Sequence, residues 1–183
     1  GHLSSIEFRS GTIDAASAVT FDRVGSKLVG GHRTAPESYD KQAFGTKLGE
    51  LRVGNDVASS VLARLSDRFT PDDLERALAR LADDGIPSAI SYETAKIIRV
   101  LAASNYITRF PADSELAERV IFPAGPYETR GMEDARFVRF VEDDGTVKYY
   151  ATYTAFAGFE ILPQLIETAD FASFMISTLN GVA

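Results

Sequence analysis

The densest group of chemically useful side chains lies at residues 131–136, where two acids and an arginine fall within four positions. The run reads Gly131-Met132-Glu133-Asp134-Ala135-Arg136. On an extended backbone, neighbouring side chains point to opposite faces, so Glu133 and Asp134 are not expected to act as a pair. Asp134 and Arg136, two positions apart, are expected to share a face. The guanidinium would then keep the Asp134 carboxylate ionised, or bind a substrate anion itself.

The same three charged residues also fit a structural role. An ion pair at the end of a loop perturbs a carboxylate much as a catalytic environment does, so residue types alone leave both interpretations open. The choice depends on the elements that hold these side chains in place.

Residues 107–183 are predicted to be β structure. The run at 131–136 follows a polar loop, Gly125 to Arg130, and a strand with alternating apolar residues comes directly after it. An Asp-Gly turn at residues 144 and 145 is typical of a β-hairpin. Successive short antiparallel strands favour a sandwich, barrel or propeller. The predicted strands are 136–141, 147–154, 161–168 and 174–178.

The first two thirds of the chain divide into a β region and a helical region. Residues 1–35 are predicted to form a β-hairpin region, in which Gly25 to Thr34 is a glycine-rich loop. Residues 36–106 carry apolar residues at helical spacing, which predicts four short helices that form an insert. One helix has a clear start, because Thr70 can cap it and Pro71 suits its first position, and Asp84-Gly85 is expected to end it.

Residues 131–136 resemble the Gly-x-Glu-Asp-Pro-Arg signature of glycoside hydrolase family 130. The strand Tyr149 to Ala155, which contains Tyr153, resembles the tyrosine-rich strand that follows this signature in the family. Further segments are similar to its glycosidase-like branch, and the resemblance covers residues 1–11 and about 104–181. These segments are Ser4 to Arg9, Ser104 to Tyr106, Ile161 to Thr168 and Ser177 to Gly181.

The resemblance implies a five-bladed β-propeller that acts on β-mannosides or related oligosaccharides as an inverting phosphorylase or hydrolase. It implies that Asp134 is the general acid, and that Glu133, Arg136 and Tyr153 bind substrate. The aromatic ring of Tyr153 is also compatible with core packing. No cofactor or metal is implied. A phosphorylase would use inorganic phosphate as co-substrate, and a hydrolase would use a second carboxylate to activate water.

The chain departs from the family pattern in one residue and in extent. Ala135 stands where the signature usually has proline. A five-bladed propeller needs well over about 200 residues of β structure, and the β regions here amount to about two blades. We therefore expect a truncated chain with little activity alone, which self-associates or pairs with a partner chain that completes the propeller.

Composition excludes several other classes of function. The chain has no cysteine and two histidines, which argues against a zinc site. A net charge of −7 does not favour nucleic acid as a partner, and no apolar run is long enough for a membrane span. These features are typical of a cytoplasmic protein. Two alternatives to the enzyme remain: a non-catalytic carbohydrate-binding or protein-interaction module on a degenerate propeller, and an α+β domain unrelated to sugars.

Overall fold

The computed structural model describes residues 3–23, 27–81, 88–158 and 161–181. The chain divides into two compact units. Unit 1 comprises Gly1–Thr34 and Ile107–Ile176, and unit 2 comprises Ala35–Tyr106 and Ser177–Ala183. The fold is mainly β with a helical insert, as predicted from the sequence. The residues from Ser177 onward, which include the end of the last strand, are grouped with unit 2.

The described residues form thirteen strands and four helices. The strands are β1 (Ile6–Glu7), β2 (Gly11–Ile13), β3 (Val19–Phe21), β4 (Val29–Gly30), β5 (His32–Thr34), β6 (Tyr39–Asp40), β7 (Arg68–Phe69), β8 (Tyr106–Arg109), β9 (Arg119–Ile121), β10 (Gly131–Val141), β11 (Val147–Phe156), β12 (Ile161–Thr168) and β13 (Ser173–Thr178). The helices are α1 (Lys41–Glu50), α2 (Asp56–Ala63), α3 (Pro71–Ala79) and α4 (Ser88–Ala103).

The main sheet of unit 1 has six strands in the order β10-β11-β12-β13-β8-β5. Its first four strands follow one another along the chain, and β10 pairs antiparallel with β11, which pairs antiparallel with β12. In the described part of the chain the sheet is open, with β10 and β5 as its edge strands. Aromatic side chains pack together in unit 1 with ring centroids 4.6 to 6.1 Å apart. They are Phe8, Phe110, Phe137, Tyr149, Phe171 and Phe174.

Two smaller sheets complete unit 1. Strands β1, β9 and β4 form one of them, with β9 in the middle. Strands β2 and β3 form a separate hairpin whose apolar side chains Ile13, Val19 and Phe21 are exposed. The prediction of a loop from Gly25 to Thr34 is wrong for its described part, because β4 and β5 lie there. These strands are too short for a periodic signal, and pairing with β9 and β8 stabilises them.

Local capping defines the starts of three helices in unit 2. The side chains of Asp40 and Asn55 accept hydrogen bonds from backbone N–H groups at the starts of α1 and α2, at 2.8 and 3.0 Å. Thr70 caps α3 and forms a reciprocal capping box with Asp73, and Pro71 occupies the first turn. The predicted start of α3 is therefore confirmed. Its predicted end at Asp84-Gly85 lies outside the described residues.

Apolar residues at helical spacing form the core of unit 2. The residues near the C-terminus of the chain are hydrogen-bonded to α1. The Lys47 side chain is 4% exposed and donates hydrogen bonds to the carbonyl of Leu179 at 2.6 Å and to Glu50 at 2.9 Å. Glu50 in turn accepts from the backbone N–H of Gly181 at 2.7 Å. The largest fully buried apolar residues are Leu48, Phe69, Ile98 and Leu101.

Candidate functional site

The run at residues 131–136 lies inside a strand. The sequence places it at the entrance to a strand, but β10 already begins at Gly131. Gly131 has a φ of +134°, and a Cβ atom there would lie 2.8 Å from the Ser4 nitrogen. The Met132 N–H donates to the carbonyl of Ser4 at 3.0 Å. Only glycine fits this close approach, so Gly131 fixes the point at which the run enters the sheet.

A β-bulge interrupts the strand within the run. Glu133 pairs with Thr154 and Arg136 pairs with Thr152, so two residues of β10 lie opposite the single residue Tyr153. The two bulged residues are Asp134 and Ala135. Asp134 has a φ of +57°, in the left-handed region that glycine usually occupies at such a bulge.

The bulge changes which charged residues share a face of the sheet. Thr152 and Thr154 are two positions apart on β11, so their partners Arg136 and Glu133 lie on the same face. The predicted arrangement, with Asp134 and Arg136 sharing a face of an extended strand, is therefore wrong. The extra residue shifts the alternation by one position, and Arg136 joins Glu133 instead.

Asp134 itself is exposed and lacks a polar partner in the described part of the chain. Its carboxylate makes neither a hydrogen bond nor an ion pair with the described residues, and the same is true of the Arg136 guanidinium. The ion pair expected between them is thus not formed. Glu133, also exposed, accepts a long hydrogen bond of 3.5 Å from the Ser4 hydroxyl. Asp134 and Arg136 are both available to a ligand.

Tyr153 lies on the buried side of the same sheet and is 3% exposed. Its hydroxyl donates a hydrogen bond to Oε1 of Glu128. The ring is therefore packed in the core and does not offer a stacking surface to a sugar. Tyr153 is the residue of β11 that lies opposite the bulge, and its buried side chain anchors this part of β11 in the core.

Glu128 is the carboxylate that the sequence does not point to. It is 1% exposed, and its Oε2 accepts hydrogen bonds of 2.6 Å from the N–H groups of Ala124 and Gly125. Through Oε1 it also binds Tyr153. These hydrogen bonds help to compensate the burial of the carboxylate. The local signal is the Gly125-Pro126 pair, three and two positions ahead of Glu128, which is typical of a capped helical turn.

The arrangement is that of an open polar surface and not of an enclosed acid–base centre. Asp134, Glu133 and Arg136 are exposed beside the hydroxyls of Thr152 and Thr154, whereas Glu128 and Tyr153 are buried behind them. No group of three or more potential metal ligands occurs among the described residues. The exposed groups can donate and accept hydrogen bonds to a polar ligand.

Comparisons with known proteins give limited similarity. No protein-family model and no solved structure matches the chain. Similar proteins include one named Nucleolar protein 9 from Pyrenophora teres f. teres (strain 0-1), 30% identical over 134 residues. Another with the same name, from Pyrenophora tritici-repentis (strain Pt-1C-BFP), is 29% identical over 134 residues. Each match covers 70% of this chain, and the chain spans only 18% of the length of these relatives.

These relatives correct the classification expected from the sequence. That expectation described the chain as a cytoplasmic glycosidase, a hydrolase or transferase of carbohydrate metabolism. The comparisons contradict this description, because both relatives carry a name that refers to the nucleolus and neither is named as a glycosidase. Among the described residues, no helix is both long and apolar enough to cross a membrane.

Proposed function

We propose that unit 1 is a carbohydrate-binding module in which Asp134 is the central ligand-binding residue. The observation that carries this proposal is the conformation of Asp134. A non-glycine residue with a φ of +57° at a bulge costs free energy, and such strain is typical of functional positions. Its carboxylate is exposed and has no partner among the described residues, so the strain is not offset by a contact there.

The chemistry around Asp134 suits an oligosaccharide. A carboxylate and a guanidinium bind pairs of neighbouring hydroxyl groups through charge-assisted hydrogen bonds, and Arg136 and Glu133 lie on one face of the strand. Phe140 and Tyr150 pack against each other at 6.1 Å on that same face, farther along the strands. An aromatic surface beside polar groups can bind a sugar ring, which has an apolar face and polar hydroxyl groups at its edge. The resemblance of residues 131–136 suggests β-linked manno-oligosaccharides.

The strands β10 to β13 support an incomplete propeller as the setting for this module. Four of the six strands in this sheet, β10 to β13, are consecutive along the chain and adjacent in the sheet, like the four strands of a propeller blade. The outer strand β10 is an edge strand in the described part of the chain, and unpaired edges invite pairing. We therefore propose that a second copy or another chain covers this edge. Inorganic phosphate would be a co-substrate only if the protein catalyses phosphorolysis.

The proposal is tested by titrating the protein with a β-1,4-linked mannotriose and measuring the affinity by calorimetry. The carboxylate of Asp134 would form charge-assisted bonds that an amide cannot match, so Asp134→Asn should weaken binding at least tenfold. Asp143→Asn, in the turn at the other end of β10, should leave the affinity unchanged. Equal affinity of the wild type and the Asp134→Asn variant would contradict the proposal.

An assay of sugar release distinguishes binding from cleavage. Inverting cleavage needs a second carboxylate about 6.5–9.5 Å from the acid, or a bound phosphate in its place. We expect no release of mannose by the purified chain, with or without phosphate. Release that is lost in Asp134→Asn would make Asp134 a general acid, and the non-catalytic proposal would be withdrawn.

Cellular location and other partners are also part of the proposal. The name shared by the two Pyrenophora proteins suggests a nuclear or nucleolar location for this chain. A net charge of −7 opposes electrostatic binding to a phosphate backbone, so we do not propose nucleic acid as a ligand.

A further inference from the structure

The core of unit 1 contains a glutamine whose amide has no partner. Gln164 lies on β12 and is 0% exposed. Neither its amide nitrogen nor its amide oxygen has a hydrogen-bond partner in the described part of the chain. Buried amides are almost always hydrogen-bonded, because they lose their hydration on burial. The Gln164 amide therefore needs a donor and an acceptor that the described residues do not provide.

Gln164 is next to the buried pair formed by Tyr153 and Glu128. Gln164 and Tyr153 are paired directly across β11 and β12, so their side chains lie on the same face with Cβ atoms about 5 Å apart. The Tyr153 hydroxyl donates to Glu128, which also accepts from two backbone N–H groups. Polar groups thus form a short row through an apolar core, from Glu128 through Tyr153 to Gln164.

The neighbours of Gln164 along the two paired strands are small or apolar. On β11, the residues two positions either side of Tyr153 are Ala151 and Ala155, which are buried and occupy little volume. They pair with Ile166 and Leu162, which flank Gln164 on β12. These four neighbours on β11 and β12 are apolar and offer no side-chain hydrogen bonds, so Gln164 and the Glu128–Tyr153 pair are the polar groups of this row.

We propose that Gln164 binds an ordered water molecule inside unit 1. Water offers both a donor and an acceptor, which matches the two free ends of an amide. A buried water typically makes about three hydrogen bonds to polar groups that would otherwise be unpaired. A sugar hydroxyl has the same chemistry, but the side chain is fully buried and a sugar ring could not reach it without opening the sheet.

Nuclear magnetic resonance can test this site directly, because the chain contains only two glutamines, Gln42 and Gln164. In a protein labelled with ¹⁵N, we expect a rotating-frame Overhauser contact between water and the Gln164 side-chain amide protons, with the sign of dipolar contact and not of exchange. Exposed Gln42 should show exchange with bulk water and no such contact. Gln164→Met identifies the signals by their loss.

A crystal structure at high resolution gives the second readout. We expect a water oxygen about 2.7–3.2 Å from the Gln164 amide, in the range of normal hydrogen bonds. A protein atom in that position, or an amide without either the density or the Overhauser contact, would overturn the proposal. Both measurements use the unmodified chain, so they decide the question even if Gln164→Met fails to fold. Loss of sugar binding in Asp134→Asn would leave this result unaffected.

Discussion

Asp134 combines an unfavourable backbone conformation with an unpaired carboxylate. Its φ of +57° is one that glycine adopts without cost. We therefore predict that Asp134→Gly increases the free energy of unfolding, by about 0.5–1 kcal/mol, while sugar binding is lost. Urea denaturation measures the first effect. Ala135→Gly, the other bulge residue, has no positive φ to relieve and should destabilise the protein slightly.

Gly131 provides a second test of the backbone at the site. Alanine there would combine a positive φ with a Cβ atom 2.8 Å from the Ser4 nitrogen, so Gly131→Ala should destabilise the chain by about 2 kcal/mol or more. Gly145, in the hairpin turn, also has a positive φ of +83° but open space around it. Gly145→Ala should therefore cost only about 1 kcal/mol. Similar losses in the two variants would show that the contact with Ser4 is unimportant.

The sequence points to Asp134 and Arg136 as unusual, but it does not predict their geometry. A bulge depends on the register between two strands, and no residue type in 131–136 indicates one from the local sequence. Glu128 is missed for a related reason, because its burial depends on Tyr153 and on backbone donors that are brought together by folding. Residue type thus identifies candidates, whereas tertiary pairing decides which ones share a face.

At the scale of elements, the N-terminus of α3 offers a pH-dependent prediction. Hydrogen bonds from the backbone N–H and the side chain of Thr70, followed by Arg76, hold the pKa of Asp73 below its ordinary value. A carboxylate with a lowered pKa in the folded state stabilises that state above its unfolded pKa, and this stabilisation is lost as the pH falls. The melting temperature should therefore fall between pH 5 and pH 3.

Variants isolate the contribution of this cap. Asp73→Asn should show a shallower fall in melting temperature over the same pH range, because the titrating carboxylate is absent. Asp72→Asn is a matched control, since Asp72 lies in the same turn and makes none of these hydrogen bonds with described residues. An identical slope in all three proteins, measured by circular dichroism, would refute the role of Asp73.

Elements differ in how well the sequence predicts them. The start of α3 is predicted correctly because a cap is formed by residues within one turn. The strands β4 and β5 are missed because each has two or three residues and depends on partners far along the chain. Local chemistry therefore specifies helix starts, and non-local pairing specifies the short strands.

At the scale of the whole molecule, exposed apolar residues on β10 predict self-association. Val138, Phe140 and Val141 are between 49% and 60% exposed on an edge strand of the described sheet. We expect sedimentation velocity to show dimers or larger species. The double variant Val138→Lys, Phe140→Lys should shift the population towards monomer, because charge on an edge strand opposes pairing.

The hairpin of β2 and β3 supplies the control for this experiment. Ile13→Lys changes an equally exposed apolar residue away from β10 and should leave the sedimentation pattern unchanged. A wild-type chain that stays monomeric at high concentration would show that neither edge pairing nor a second copy completes the sheet. The mainly β class with a helical insert is predictable from composition shifts along the chain, whereas the strand order of the six-stranded sheet is not.

The insert leaves and re-enters the main sheet at adjacent positions. Thr34 on β5 is paired with Ile107 on β8, and Arg109 donates a hydrogen bond to the Thr34 hydroxyl at 2.9 Å. For protein engineering, Thr34 and Ile107 are therefore two closely spaced points between which a segment can be replaced. A short type I′ turn there would join β5 to β8 directly, and a foreign domain with neighbouring termini could be spliced in at the same place.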